Sequence, residues 1–278
     1  MNARGMMRKG LYWFRLALAV VVVLVFAYTA LYITAPFSDF WNNFLSNFFT
    51  VFSALLSAVA ATLVWRRYER NEPPRFVWRW LAIALWLWTI AEAIWAFQNM
   101  TLKEVPLGWP DVFWVFAYIF FGMALYRQFI LLYRPDPARA RSRLFYALVL
   151  FVALTLLSTF FFSSITQQPL GLDTLVNAFY PVGDFAVGLA GLWLARRFRN
   201  GALAYAWLGL FVFCISDLLY TWLDLSGAYA WSLSHGNFLS ALADVTYLIA
   251  YLTVALGCFT QWLVLNYGPI FKRELHEP

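Results

Sequence analysis

Charged residues are scarce in this chain. They make up 12% of its 278 residues, against about 25% in soluble domains, which excludes an ordinary water-soluble globule. Histidine occurs only at His235 and His276, in a connection and in the C-terminal tail, so no pair is set within helices for haem ligation. Cysteine occurs only at Cys214 and Cys258, too few for a disulfide framework or a zinc set, and both read as buried free thiols. The three lysines, Lys9, Lys103 and Lys272, lie outside the centres of the apolar segments, which excludes a retinal Schiff base. No Ser-His-Asp set, glycine-rich phosphate loop or metal-ligating cluster is present; His235 with Asp244 is the one conceivable metal pair. The reading is therefore of a protein that is not an enzyme, with no catalytic residue and no metal site.

What the chain has instead is apolar length. Hydrophobic residues make up 63%, and eight segments, near 11–34, 43–65, 77–99, 110–133, 143–163, 172–195, 202–224 and 239–266, reach the ~20 residues a membrane helix needs. Continuous Leu/Ala/Phe/Val runs mean helices, because barrel strands would be ~10 residues of alternating character. Arg8 and Lys9 precede a run too long for a signal-peptide core, so the first segment is expected to be a retained helix. The net charge of +6 is distributed as membrane topology rather than as a nucleic-acid surface: nineteen of the twenty basic residues fall on one side of an eight-helix arrangement. The positive-inside rule assigns that side, and both termini, to the cytoplasm. Anionic lipid headgroups are natural neighbours of such a face. Trp and Tyr gather near segment ends, where amphipathic rings prefer the headgroup level.

The text also repeats. Residues 111–118 read DVFWVFAY and residues 244–251 read DVTYLIAY, with Asp, Val, Ala and Tyr in register 133 residues apart. Arg66–Arg67 answers Arg196–Arg197; Ser53, Ser57 and Ala61 answer Gly183, Val187 and Gly191; Glu92 and Trp95 answer Asp217 and Tyr220. Two four-helix halves, 1–134 and 135–278, follow, and an even number of crossings per half makes the repeats parallel. The expected fold is an all-α integral membrane protein of eight helices in a tandem 4+4 arrangement, forming one bundle.

This topology brings five carboxylates into the outer half. Asp111 follows Trp109–Pro110, where an acid complements a helix start. Asp244 lies about a turn inside its segment, balanced between helix-start stabilisation and a lined pocket. Glu92 and Asp217 lie deeper, where a carboxylate costs at least ~2.5 kcal/mol and needs a partner or a wet cavity. Gln98, Asn99, Asn177, Tyr180, Thr246 and Tyr247 are candidate partners; an internal helix-to-helix lock competes with a functional pocket. Asp184 stands beside Gly183 and Pro181, and the proline frees the Asn177 carbonyl and is expected to kink or break the sixth helix.

The elements GWPDVFWVFAY (108–118), YPVGDF (180–185), SDLLY (216–220) and SALADVTYL (240–248) resemble the multi-pass N-terminal membrane region of bacterial diguanylate cyclases and sensor kinases. The likeness covers about 43–258. It implies a sensor-like module of the bacterial inner membrane that signals to a cytoplasmic partner, although no cytoplasmic output domain follows here. The leading expectation is an outward-facing ligand or cation pocket lined by Glu92, Trp95, Asp111, Tyr180, Asp184, Asp217, Tyr220, Asp244 and Tyr247. Two rivals are a structural or pigment-binding subunit of a larger membrane complex, suited by the 28 Phe and 15 Trp, and a small-molecule or ion transporter. No dedicated cofactor is expected, with room left for pigment or bound lipid. Partners are the bilayer, with a cytoplasmic signalling protein or other membrane subunits, and no nucleic acid.

Overall fold

The computed structural model describes residues 3–102, 107–134, 136–167, 169–198, 201, 203–229 and 238–268. Within them the chain forms eight helices: α1 Ala3–Thr34, α2 Asp39–Arg67, α3 Pro73–Thr101, α4 Trp109–Tyr133, α5 Pro137–Thr166, α6 Leu172–Arg197, α7 Leu203–Leu225 and α8 Phe238–Tyr267. All eight are long and apolar enough to cross a membrane. Each expected segment is present, and the ends differ for a physical reason. α1 and α5 start at Ala3 and Pro137, upstream of the apolar boundaries at 11 and 143, because basic residues continue a helix in water as readily as leucine does in lipid.

Prolines start three helices: Pro73, Pro110 and Pro137 occupy the first turn, where the missing N–H is no loss. Pro181 is different, since it lies inside α6. The expected break does not occur: the helix runs from Leu172 to Arg197 through it. One lost backbone bond is survivable when packing holds the segment on both sides of it: Phe179 and Tyr180 meet Tyr118 of α4 before the proline, and Gly188 and Gly191 lie close against α7 after it.

Short connections make successive helices antiparallel, and cross-helix contacts agree. At one end Arg67 Nε donates to Asn266 Oδ1 at 3.0 Å, and Arg197 lies 5.7 Å from the Tyr133 ring. At the other, Asn99 Nδ2 donates to Asn43 Oδ1 at 3.3 Å and Tyr180 reaches Asp111. The first end carries the basic connections and is called the basic end below.

Neighbouring pairs α2–α3, α3–α4, α4–α6, α6–α7, α7–α8 and α8–α2 close a circle of six helices. α1 packs outside it on α8 and α2, and α5 outside it on α6. Burial follows: the most apolar windows of α1 and α5 are only 17% and 11% buried, against 56% for α8. In lipid, helices associate through close van der Waals packing rather than a hydrophobic effect, so small residues set the tightest approaches. A Cβ on Gly257 would lie 2.1 Å from the Ala206 backbone nitrogen, and one on Gly209 would lie 2.8 Å from that of Val254, which fixes the α7–α8 contact. On α2, Ser53, Ala54, Ser57, Ala58 and Ala61 are all fully buried. Inside the circle the helices stand further apart and large side chains fill the gap. Trp78 of α3 and Trp207 of α7, both buried, meet at 6.4 Å between ring centroids.

Candidate functional site

The interior of the circle, in the half remote from the basic end, is where the acids lie. α3 delivers Glu92, 4% exposed, and α8 delivers two tyrosines, one helical turn apart, that both donate to its Oε1. The Tyr251 bond is 2.8 Å; Tyr247 makes the other, and Trp88 Nε1 donates to the Tyr247 hydroxyl at 3.0 Å. Across the interior, Tyr118 of α4 donates to Asp184 Oδ1 of α6, 5% exposed. The carboxyl of Asp217, from α7, meets that of Asp184 at hydrogen-bonding range. An ionised carboxylate has no donor, so one of these two groups must carry a proton for the contact to be a bond.

An aromatic partition stands between the two polar groups. Trp88 packs against Tyr118, Phe121 and Phe213 with centroids 5.3, 5.5 and 5.8 Å away, and Phe213 meets Tyr251 edge-on at 4.5 Å. Asp217 lies within electrostatic reach of both Asp184 and Glu92. Beside Asp184, a cavity of about 10 Å³ is lined by Trp88, Tyr118, Val187 and Cys214 among others. That is close to the minimum that admits one water. Gly183 makes room for the arrangement, because a Cβ there would lie 2.9 Å from the Tyr118 ring.

The remaining acids sit at the rim. Asp111 at the start of α4 accepts from the Gly108 N–H at 2.8 Å and from the Tyr180 hydroxyl at 2.7 Å, so it is both a helix-start acid and a link to α6. Asp244 accepts from Tyr229 at 3.0 and 3.1 Å, and Tyr32 of α1 also bonds it. Burial, then the nearby Asp244 charge, holds the Tyr229 phenol well above its ordinary range, so this tyrosine remains a donor.

Of the nine residues expected at the site, Glu92, Asp184, Asp217 and Tyr247 thus form the interior cluster, while Asp111, Tyr180 and Asp244 form rim contacts. Tyr220, 40% exposed, packs edge-on against Tyr229 at 4.8 Å rather than on a carboxylate. Trp95 is half-buried and donates to none of the five acids. Of the proposed partners for the deep acids only Tyr247 bonds one directly: Thr246 bonds back to its own helix, and Asn177 is exposed. His235 and His276 lie outside the described residues. Tyr118 and Tyr251 were missed as site residues, yet the sequence carries their signal. Each ends the repeated eight-residue element, seven positions after its Asp, and two helical turns put both on the same face. Trp88 and Phe213 had no such signal.

Compared with protein-family models, with curated proteins and with solved structures, the chain matches none.

Proposed function

We propose that this chain is a multi-pass sensor of the bacterial inner membrane whose input is a small cation, the proton included, taken up by the interior acid–tyrosine cluster. The observation that carries the reading is the Asp184–Asp217 contact, two carboxyls from different helices joined inside an apolar bundle and capped by Tyr118. No Lys or Arg comes from the acid half of any described helix, so the counter-charge is a mobile one. A water-sized cavity suits a proton or a small ion better than a bulky organic ligand. Uptake or loss of one cation changes the bonding between α4, α6 and α7 at one point. α6 ends in Arg196–Arg197 at the basic end, so its displacement has a route to a cytoplasmic partner.

The same reading takes the chain as a tandem 4+4 duplication with the basic end in the cytoplasm. Exchanging each helix for the one four places on turns α2–α3 into α6–α7, α3–α4 into α7–α8 and α8–α2 into α4–α6, all of which are neighbouring pairs. Tyr118 and Tyr251 are then equivalent donors to acids on opposite sides of the interior.

The test is the double variant Asp184→Asn, Asp217→Asn, in which amides keep a donor and an acceptor at each position without a titratable proton. Wild-type protein in detergent is expected to shift its melting temperature with pH or among Na⁺, K⁺ and ethanolammonium salts, and the variant is expected to lose that response while staying folded. A wild type indifferent to every cation and to pH, or a variant that responds as the wild type does, would sink the reading.

A further inference from the structure

One basic residue of α3 and one of α4 lie well inside their helices rather than in a connection. Arg79 lies six residues after Pro73, the first residue of α3, and Arg127 six residues before Tyr133, the last of α4. At 1.5 Å per residue each lies ~9 Å inside the basic end. Both are exposed. They also share a surface. The Arg127 guanidinium lies 5.9 Å from the Phe76 ring centroid, and that of Arg79 lies 5.0 Å from Trp80. Phe76, Arg79 and Trp80 are spaced i, i+3, i+4 and so occupy one face of α3. Trp80 in turn stacks on Phe120 of α4 at 5.5 Å and 22°. Arg127 therefore sits on α3 about one turn from Arg79, across the α3–α4 seam.

Neither charge is met by a carboxylate among the described residues. Among the described residues no ion pair within 4 Å joins a basic side chain to a carboxylate. The closest acids in sequence are engaged elsewhere or exposed: Glu72 accepts the Glu69 N–H at 2.6 Å, and Arg75, between them and the seam, donates to the Tyr68 carbonyl. Two guanidiniums on a lipid-facing surface, on aromatic faces that hold them in place, call for an anion that arrives with the bilayer. Phe76 is itself 39% exposed, so acyl chains border the same spot.

We propose that the α3–α4 seam at the basic end is a binding site for an anionic phospholipid, its phosphate clamped between Arg79 and Arg127 and an acyl chain lying along Trp80 and Phe120. Guanidinium forks match phosphate oxygens bidentately, and it is the placing of two of them on aromatic faces across one seam that distinguishes this clamp from the scattered arginines of the connections.

Native mass spectrometry of the purified full chain, released from mixed micelles of phosphatidylglycerol and phosphatidylcholine, tests the site. Wild type is expected to retain phosphatidylglycerol preferentially. Arg79→Gln or Arg127→Gln alone should weaken its retention roughly five-fold and the pair should remove the preference. The control pair Arg139→Gln, Arg141→Gln, exposed on α5, should keep it. Equal retention of both lipids by wild type, an unchanged preference in the Arg79/Arg127 pair, or an equal loss in the α5 control overturns the proposal. So does competition by millimolar inorganic phosphate, which would mark a free-anion site. Lysine at both positions, which keeps the charge and loses the fork, should retain lipid at an intermediate level; full loss would mean that the glutamine effect came from misfolding.

Discussion

Hydroxyl groups of tyrosine are what make the buried acids tolerable. Glu92 has two such donors, Tyr247 and Tyr251, whereas Asp184 has only Tyr118 among the described tyrosines and otherwise lies against the carboxyl of Asp217. Removing a donor from a buried acceptor leaves that group's desolvation uncompensated, at about 1–3 kcal/mol. Tyr118→Phe is therefore expected to cost about 2 kcal/mol, and Tyr251→Phe less than about 1.5 kcal/mol, because Tyr247 still serves Glu92. Reversible unfolding in mixed detergent micelles measures both; equal losses would mean that the number of donors per acid does not matter. The acids themselves were legible in the sequence because a carboxylate in an apolar run stands out. Their partners were not, since tyrosines are common here and only the spacing of the repeated element separates Tyr118 and Tyr251 from the interfacial ones.

Among the helices, close approach and open space can be told apart by single glycines. Gly257 faces the backbone of Ala206 and Tyr205, so any side chain there must push α7 and α8 apart. Gly122, on the exposed side of α4, has nothing within 4 Å of its would-be Cβ. Gly257→Val should destabilise by about 3 kcal/mol, while Gly122→Ala should stabilise by about 0.5–1 kcal/mol through helix propensity alone. Thermal melts of the two variants decide it, and a tolerated Gly257→Val would remove the packing account. α6 carries a lesson of its own. A proline in a sequence marks a missing donor, but whether the helix breaks depends on neighbours that no local pattern reveals, and here Leu172–Arg197 continues through Pro181.

For the molecule as a whole, the proposed orientation in the membrane rests on where the basic residues gather. Cys214 and Cys258 are buried and free, so an introduced surface cysteine is the reactive thiol. With the basic end in the cytoplasm, Gly171→Cys should react with a membrane-impermeant maleimide in intact cells, and Arg139→Cys only after lysis. The reverse pattern would invert the topology and place the acid cluster in the cytoplasmic half.

Eight membrane-length helices were fixed by composition and run length, because lipid forces every backbone polar group to bond within its own segment. The asymmetry of charge between the two ends was equally open to view. The closing of six helices into a circle, with α1 and α5 outside, depended on which small residues meet across a seam, as at Gly257 and Ala206. So did the division of five acids into an interior trio and two rim contacts. Both are matters of rotation about helix axes, and in lipid, where apolar faces have no aqueous side to avoid, that rotation is set by packing between helices rather than by any pattern along one.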